Sequence, residues 1–446
     1  MRQLGSCIQP REVHTDMKVT KSSLRKYLCL ILACTLVLSL CACGGIKPIN
    51  NVKYEYPPTA GSDNRIEYMK ANTPDESFVA AVNGFSYRTA DKLLTSGTEG
   101  GTNVCYSPLS LYLTLALATA GAEGETRSEL AALIGYDSEV DTAVLAENCG
   151  KLLRRISSKS LTGHLKIANS LWADDSIELI NSFADMAADS FFASVYSADL
   201  QSSDTQAAMK RWVKDNTSGS IDPVIYVDPL TILSLMNTVD FTDQWIDRFD
   251  ASNNNTGVFH APNGDINVEY MNSRYSSHYY AYGDKWVTSS LGLKGATSMV
   301  FILPDEGISP EELISEYGID ALINGGEAGS GEVIWQLPKF KFETKTELDE
   351  MIKEMGAASA YDPDNADFSG ITSFKPVWIG SIIQQTVIEI DEKGVSAAAF
   401  KNIQYAGAAM PEGRADMILD RPFIFAVTSY GGIPLFTGVV NQPTIK

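Results

Sequence analysis

Groups able to do catalytic chemistry are few and poorly spaced in this chain of 446 residues. The four histidines, His14, His164, His260 and His278, stand far apart, and no Gly-x-Ser-x-Gly elbow offers an activated serine. Asp362 and Asp364 resemble the start of a calcium loop, but Ala366 occupies the third ligand position and Asp367 the place that needs glycine. The glycine-rich run 325–331 has no Lys-Ser/Thr after it, so it reads as a flexible turn and not a phosphate cradle. The stretch that stands out is 392–422, EKGVSAAAFKNIQYAGAAMPEGRADMILDRP, which is rich in alanine and glycine. A long exposed loop of small side chains is uncommon inside a compact domain and is either functional or disordered. The residues alone leave both open.

Two apolar runs bracket this loop. Thr386–Ile390 reads as a buried strand leading in, and Pro422–Phe425 as strand-like sequence leading out. Upstream, Phe78, Val79, Val82, Phe85 and Leu93 fit a helix that is interrupted or adjusted around Gly84. Ser107-Pro108 is a helix start, serine as cap and proline in the first turn, and one helix is expected to run on through Gly135.

Together these residues resemble a serpin. Glu392-Lys393-Gly394, the alanine run and Arg421-Pro422-Phe423 are similar to that family's hinge, reactive-centre loop and distal end. Other segments agree in order: Ser107-Pro108-x-Ser110 on to Gly121-Ala122-x-Gly124-x-Thr126, Ala168–Trp172, Trp212-Val213 with Thr217 and Ile221, Leu235–Trp245, Ser298–Pro304, Leu337–Phe340, Asn365–Ile371 and Leu435–Val439. The likeness covers roughly residues 75–446. It implies an α+β fold, with helices packed on three mixed or antiparallel sheets and an exposed reactive-centre loop at about 392–421.

The resemblance also implies roles, residue by residue. The hinge would be Glu392, Gly394, Val395, Ser396, Ala397, Ala398 and Ala399. Ser107, Ser110, Asn237 and Gln384 would form the polar cluster where the sheet parts, Gln384 standing where most members have histidine. Trp245, Lys339 and Glu392 match the top of the sheet, where a Glu–Lys pair would pin the point at which the loop enters. The family's spacing from Gly394 puts the scissile bond at Ala408–Ala409. Val395 stands where threonine is usual, and Lys401 where a small hydroxyl residue is usual. Side chains two apart share a strand face, so Lys401 would follow Val395 toward the core, where an unpaired ammonium is costly. The implied chain is an inhibitor and no enzyme. It needs no cofactor or metal and is expected as a monomer whose partners are serine proteases, elastase-like ones favoured by the small Ala408.

Composition agrees with an extracellular surface. Net charge is −20, and residues 1–42 hold six Lys/Arg against two acids, which leaves the remainder near −24. That balance argues against nucleic acid. Basic Lys18, Lys21, Arg25 and Lys26, an apolar run from Tyr27 to Leu40 and Leu40-Cys41-Ala42-Cys43 resemble a lipoprotein signal. The run is short for a span of about 20 residues. Residues 1–42 would be removed, Cys43 lipidated, and the body held outside the cytoplasm, lipid-anchored or secreted. An uncleaved anchor is the alternative. Residues 43–74, with Pro48, Pro57-Pro58 and Gly61, read as a tether that does not pack on the domain at 75–446. Of seven cysteines only Cys105 and Cys149 lie in the body, and Cys105 reads as a buried thiol. Two rival readings make different demands. A serpin-fold protein without inhibitory action would keep the loop but form no covalent complex. A lipid-anchored solute-binding protein would need a cleft between two lobes and no protease-sensitive loop near 400–415.

Overall fold

The computed structural model describes residues 46–50, 56–58, 63–96, 99–395 and 413–444. Helices dominate its first third, where apolar residues recur at helical spacing. After the edge strand β1 (Lys47–Asn50) come α1 (Arg65–Ala71) and α2 (Glu76–Ser96), the latter burying Phe78, Val82, Phe85 and Leu93. No interruption occurs at Gly84. A glycine inside a helix costs only about 1 kcal/mol, and the packed stripe on both sides outweighs it. Beyond β2 (Val104–Tyr106), α3 (Pro108–Gly121) begins as expected, with Pro108 in its first turn and Ser107 Oγ accepting from Ser110 N at 3.4 Å. It is buried on nearly every side, as a helix apolar all round must be.

The single helix expected through Gly135 is in fact two, α3 and α4 (Gly124–Leu133). At Gly121 a Cβ would stand 2.3 Å from Ile371, so the chain is tight there, and it turns out of the helix at Ala122 to give Glu123 N to the Asp367 carbonyl at 2.8 Å. Next come α5 (Thr142–Ile156), β3 (Ser158–Lys159), β4 (His164–Asp174), α6 (Asn181–Phe191), β5 (Ala193–Ala198), α7 (Ser203–Asn216) and β6 (Leu233–Gln244). The rest is mainly strand: β7 (Asn255–Ala261), β8 (Gly264–Tyr282), β9 (Trp286–Gly292), β10 (Ser298–Pro304), β11 (Glu327–Pro338), β12 (Phe340–Glu347), β13 (Ile383–Asp391), β14 (Gly394–Val395), β15 (Gly413–Ile418), β16 (Phe423–Thr428) and β17 (Pro434–Val440). Helices α8 (Pro310–Asn324) and α9 (Asp349–Glu354) flank β11 and β12.

Among the described residues the strands form two sheets, not three. One runs β1-β5-β4-β6-β14-β13-β12, the other β15-β11-β8-β9-β10-β16-β17-β2. The expected third sheet is fused into the second because β8 is 19 residues long: it pairs with β11 over Tyr270–Tyr282 and, at its far end, Tyr280–Tyr282 also pair with β9. α3 packs against both sheets, touching β6 and β17, so one core joins the layers.

Two other expectations need correction. The stretch read as a tether is partly folded: β1 adds to the free edge of β5, Ile46 packs against the body, and α1 is held by Arg154 Nε to Asn72 Oδ1 at 2.6 Å. An edge strand left bare invites pairing, and β1 covers this one. The loop is also shorter than 392–421. Gly394–Val395 is already strand, and Gly413–Ile418 is β15, parallel to β11. Cys105 and Cys149 are both buried and unpaired, and burial pushes the Cys105 thiol up to about 12.

Candidate functional site

The site lies where β14 enters the first sheet. Asp391 ends β13, and its Oδ1 accepts from Lys393 N at 2.8 Å and Gly394 N at 3.2 Å, which turns the chain back on itself. Gly394 has φ +142°, and a Cβ there would lie 2.3 Å from the Asp243 carbonyl, so only glycine passes between the strands. Val395 then pairs with Ile390 on β13 and Asp243 on β6, its side chain buried in the core. β6 and β13 are thus each bonded to β14. Among the described residues they are not bonded to each other.

Below Val395 the strands β6 and β13 flank a cavity of about 140 Å³, lined by Val239, Phe241 and Thr242 on one side, Val387 and Glu389 on the other, and Ile221 from the segment after α7. These positions would face the residues just after Val395 if β14 grew by continuing its ladder. A strand placed there would find unpaired backbone on both sides.

Around the top of the sheet Trp245, Lys339 and Glu392 come together. Lys339 Nζ lies 2.6 Å from Glu392 and 2.7 Å from Glu269, and Asn254 Nδ2 donates to both carboxylates at 2.6 and 2.9 Å. Trp245 is buried, donating Nε1–H to the Asp391 carbonyl at 3.0 Å and its backbone N–H to the Lys393 carbonyl at 3.0 Å. Burial pushes the Glu392 carboxyl upward, but the bonds from Lys339, backbone and Asn254 prevail and leave it below its ordinary value. Beneath this, buried Asp243 accepts from Gln244 N and Gly295 N at 2.8 and 2.7 Å, and burial holds its carboxyl above the usual range.

The four residues of the implied sheet-opening cluster also meet, but as two pairs. Ser107 N donates to Gln384 Oε1 at 2.7 Å and Gln384 Nε2 donates to the Ser107 carbonyl at 3.0 Å. Across the slot Ser110 Oγ donates to Asn237 Oδ1, and Asn237 Nδ2 donates to Asn169 Oδ1 at 2.6 Å. The start of α3 thereby holds β13 with one hand and β6 with the other. Asn169, which bonds on to the Phe191 carbonyl at 2.6 Å, was not singled out from sequence, although it lies in the quoted Ala168–Trp172 run. Asn254, Glu269 and Thr386, whose hydroxyl donates to the Cys105 carbonyl at 2.6 Å, were missed too. Only the fold tells such polar residues from any others.

Ser396–Ala399, Lys401, Ala408, Ala409 and Cys43 lie outside the described residues. Arg414, a basic residue beyond the implied scissile bond, lies in β15 with its guanidinium 2.7 Å from Asp416 and 3.3 Å from Glu332. Beside the cavity Asp240 accepts from Ser218 Oγ at 2.6 Å and lies 2.8 Å from His164. The hydroxyl there faces a carboxylate and not the imidazole, so it is no nucleophile–base pair. No cluster able to hold a metal occurs among the described residues.

Comparison with known proteins points one way. The family model described as Serpin (serine protease inhibitor) matches residues 80–443. Serpin-Z1C of Triticum aestivum is 28% identical over 393 residues, covering 81% of this chain and 95% of that protein. A crystal structure of the thermophilic serpin tengpin in its native state has a TM-score of 0.75 at 26% identity, over 89% of this chain and 100% of that one. An Arabidopsis serpin in its native stressed conformation has a TM-score of 0.70 at 25% identity, over 82% and 98%.

Proposed function

This chain belongs to the serpin family, whose members are generally protease inhibitors, and from that premise we propose that it traps serine proteases by inserting its own cleaved loop. The observation that carries the reading is β14: two residues of the chain leading into the loop are already laddered between β6 and β13, which no other described strand joins. Adding a strand there satisfies backbone donors and acceptors on both sides and buries the alanine-rich face.

In this reading the protease's serine Oγ attacks the Ala408 carbonyl carbon, and the bond to the Ala409 nitrogen breaks. The new amine leaves with the proton carried by the protease's own base, and Ala408 remains as an ester on the serine. Residues after Val395 then enter the slot, and about 14 of them at roughly 3.3 Å each carry the tethered protease some 45–50 Å. Strain on the ester disturbs the protease's oxyanion hole, where one lost donor costs roughly 10²–10³ in rate, so hydrolysis stalls. Small Ala408 favours elastase-like enzymes. The body is held outside the cytoplasm by lipid on Cys43.

The test is incubation of the purified body with elastase-like, chymotrypsin-like and trypsin-like proteases, followed by denaturing electrophoresis. A band at the summed mass that survives denaturation supports the reading. Complete cleavage of the loop without such a band would sink it and leave a serpin-fold substrate.

A further inference from the structure

The segment following α7, 221–230, is neither helix nor strand and buries Ile221, Pro223 and Val227 while turning other apolar side chains outward. Val224 is 91% exposed, Tyr226 79% and Leu230 68%. Exposed apolar residues scattered singly need no explanation, but three within seven positions of one loop form a patch.

Where the chain enters the fold decides what covers it. β1 pairs antiparallel with β5, Lys47 opposite Ser197, so Ile46 stands at the carboxyl end of β5. Ile46 packs on the small core that contains Trp172, Leu200, Ile221 and Val227, the same core on which the 221–227 segment rests. Gln201, just beyond β5, donates Nε2–H to the Asp228 carbonyl at 3.0 Å. The outward patch and the amino-terminal entrance of the chain are therefore neighbours. Only Gly44 and Gly45 separate Cys43 from Ile46, a stretch that reaches at most roughly 10 Å.

We propose that Val224, Tyr226 and Leu230 form a membrane-contact surface, seated in the interfacial layer of the bilayer that holds the lipid on Cys43. This rests on the lipid-anchor reading above. The chemistry fits an apolar interface: tyrosine suits the headgroup level, and apolar side chains of a bound surface sit about 5–10 Å deep. A body charge near −24 gains nothing from anionic headgroups, so the occupant is the apolar zone of a zwitterionic bilayer. The arrangement also orients the molecule. β6 starts at Leu233, beside the patch, and ends at Gln244, beside the loop base. Its 12 residues span roughly 40 Å, so the loop is presented away from the membrane.

The experiment uses the mature chain with a histidine tag in place of Cys43, bound to phosphatidylcholine vesicles carrying a chelator lipid, so that an anchor is present whether or not Cys43 is naturally lipidated. A polarity-sensitive fluorophore goes on Val224→Cys, and as control on Leu161→Cys, which is fully exposed beside the opposite end of β6 where His164 pairs with Thr242. Cys105 and Cys149 are buried and do not compete for label. On vesicles the label at 224 is expected to shift to the blue and to be quenched several-fold by brominated lipid, while the label at 161 stays in water. Changing Tyr226→Ser and Leu230→Ser in the labelled chain should reduce that quenching at least twofold. A label at 224 that stays in water overturns the assignment. The intact mass of protein extracted from native membranes is a separate readout: absence of lipid on Cys43 overturns the anchor reading instead.

Discussion

Gln384 and Ser107 exchange a reciprocal pair of hydrogen bonds, at 2.7 and 3.0 Å, that fastens β13 to the first turn of α3. Asn237 fastens β6 to the same turn through Ser110. The two strands that must part are therefore held through a helix and not by each other.

Removing either hold should ease the parting. Asn237→Ala leaves Ser110 Oγ and Asn169 Oδ1 without these partners, at a cost of about 1–3 kcal/mol. Conversion to a loop-inserted or polymeric form on mild heating should accelerate at least several-fold, followed by native gels. Unchanged thermal stability together with no polymer would remove this cluster from the opening step.

The Lys339 group should make the loop base sensitive to acid. Glu392 and Glu269 both sit below their ordinary value of 4.5 and Lys339 above 10.5. For Glu392 burial opposes the shift and Lys339 leads the bonds that reverse it, and for Glu269 the Lys339 bond comes first. A depressed carboxyl contributes stability above its unfolded value and loses it as pH falls through the folded one. The raised Lys339 contributes below 10.5 and loses it only above that. Stability from this group should thus be flat between the ordinary carboxyl value of 4.5 and the ordinary lysine value of 10.5, and fall as the pH drops below 4.5. Lys339→Met should flatten the acid limb of the urea midpoint, and an acid limb equal to that of the unaltered protein would place the sensitivity elsewhere.

Lys401→Thr should improve inhibition. Continuing the β14 register six residues beyond the Val395 pairs sets position 401 of an inserted loop opposite Asn237 and Gln384, on their face of the sheet. That site offers only neutral acceptors near the start of α3, the positive end of a helix. An ammonium arriving there slows insertion, so more inhibitor is spent as substrate. The threonine variant is expected to lower the number of inhibitor molecules consumed per protease trapped. An equal or higher number would mean that Lys401 is accommodated.

Cleavage should release a peptide beginning at Ala409. Arg414 is laddered in β15 and paired with Asp416 and Glu332, so a protease could reach it only by stripping the strand from β11. Arg414→Ala should therefore leave inhibition of an elastase-like enzyme within about twofold, a neutral effect on the ΔG scale of an exposed ion pair. Mass spectrometry of the released fragment decides the bond, and a fragment starting at Ala415 would refute the Ala408 assignment.

The sequence by itself determined the family, the strand before the loop and the residues able to meet at its base, because these depend on local pattern: alternation along 386–390, serine and proline at 107–108, small residues at 394 and 397–399. It was wrong where local pattern is ambiguous. Gly84 reads as an interruption or adjustment and the helix runs through it, whereas the helix expected to run through Gly121 ends there, where Ile371, 250 residues away, fills the space a side chain would need. The segment 44–74 lacks periodicity, yet β1 forms in it because the free edge of β5 supplies the hydrogen bonds. The partners of Asn237 and Gln384, the second carboxylate on Lys339 and the fusion of two sheets along β8 were likewise decided only by tertiary structure. Hydrogen bonds and packing across more than a hundred residues leave no spacing in a sequence to read.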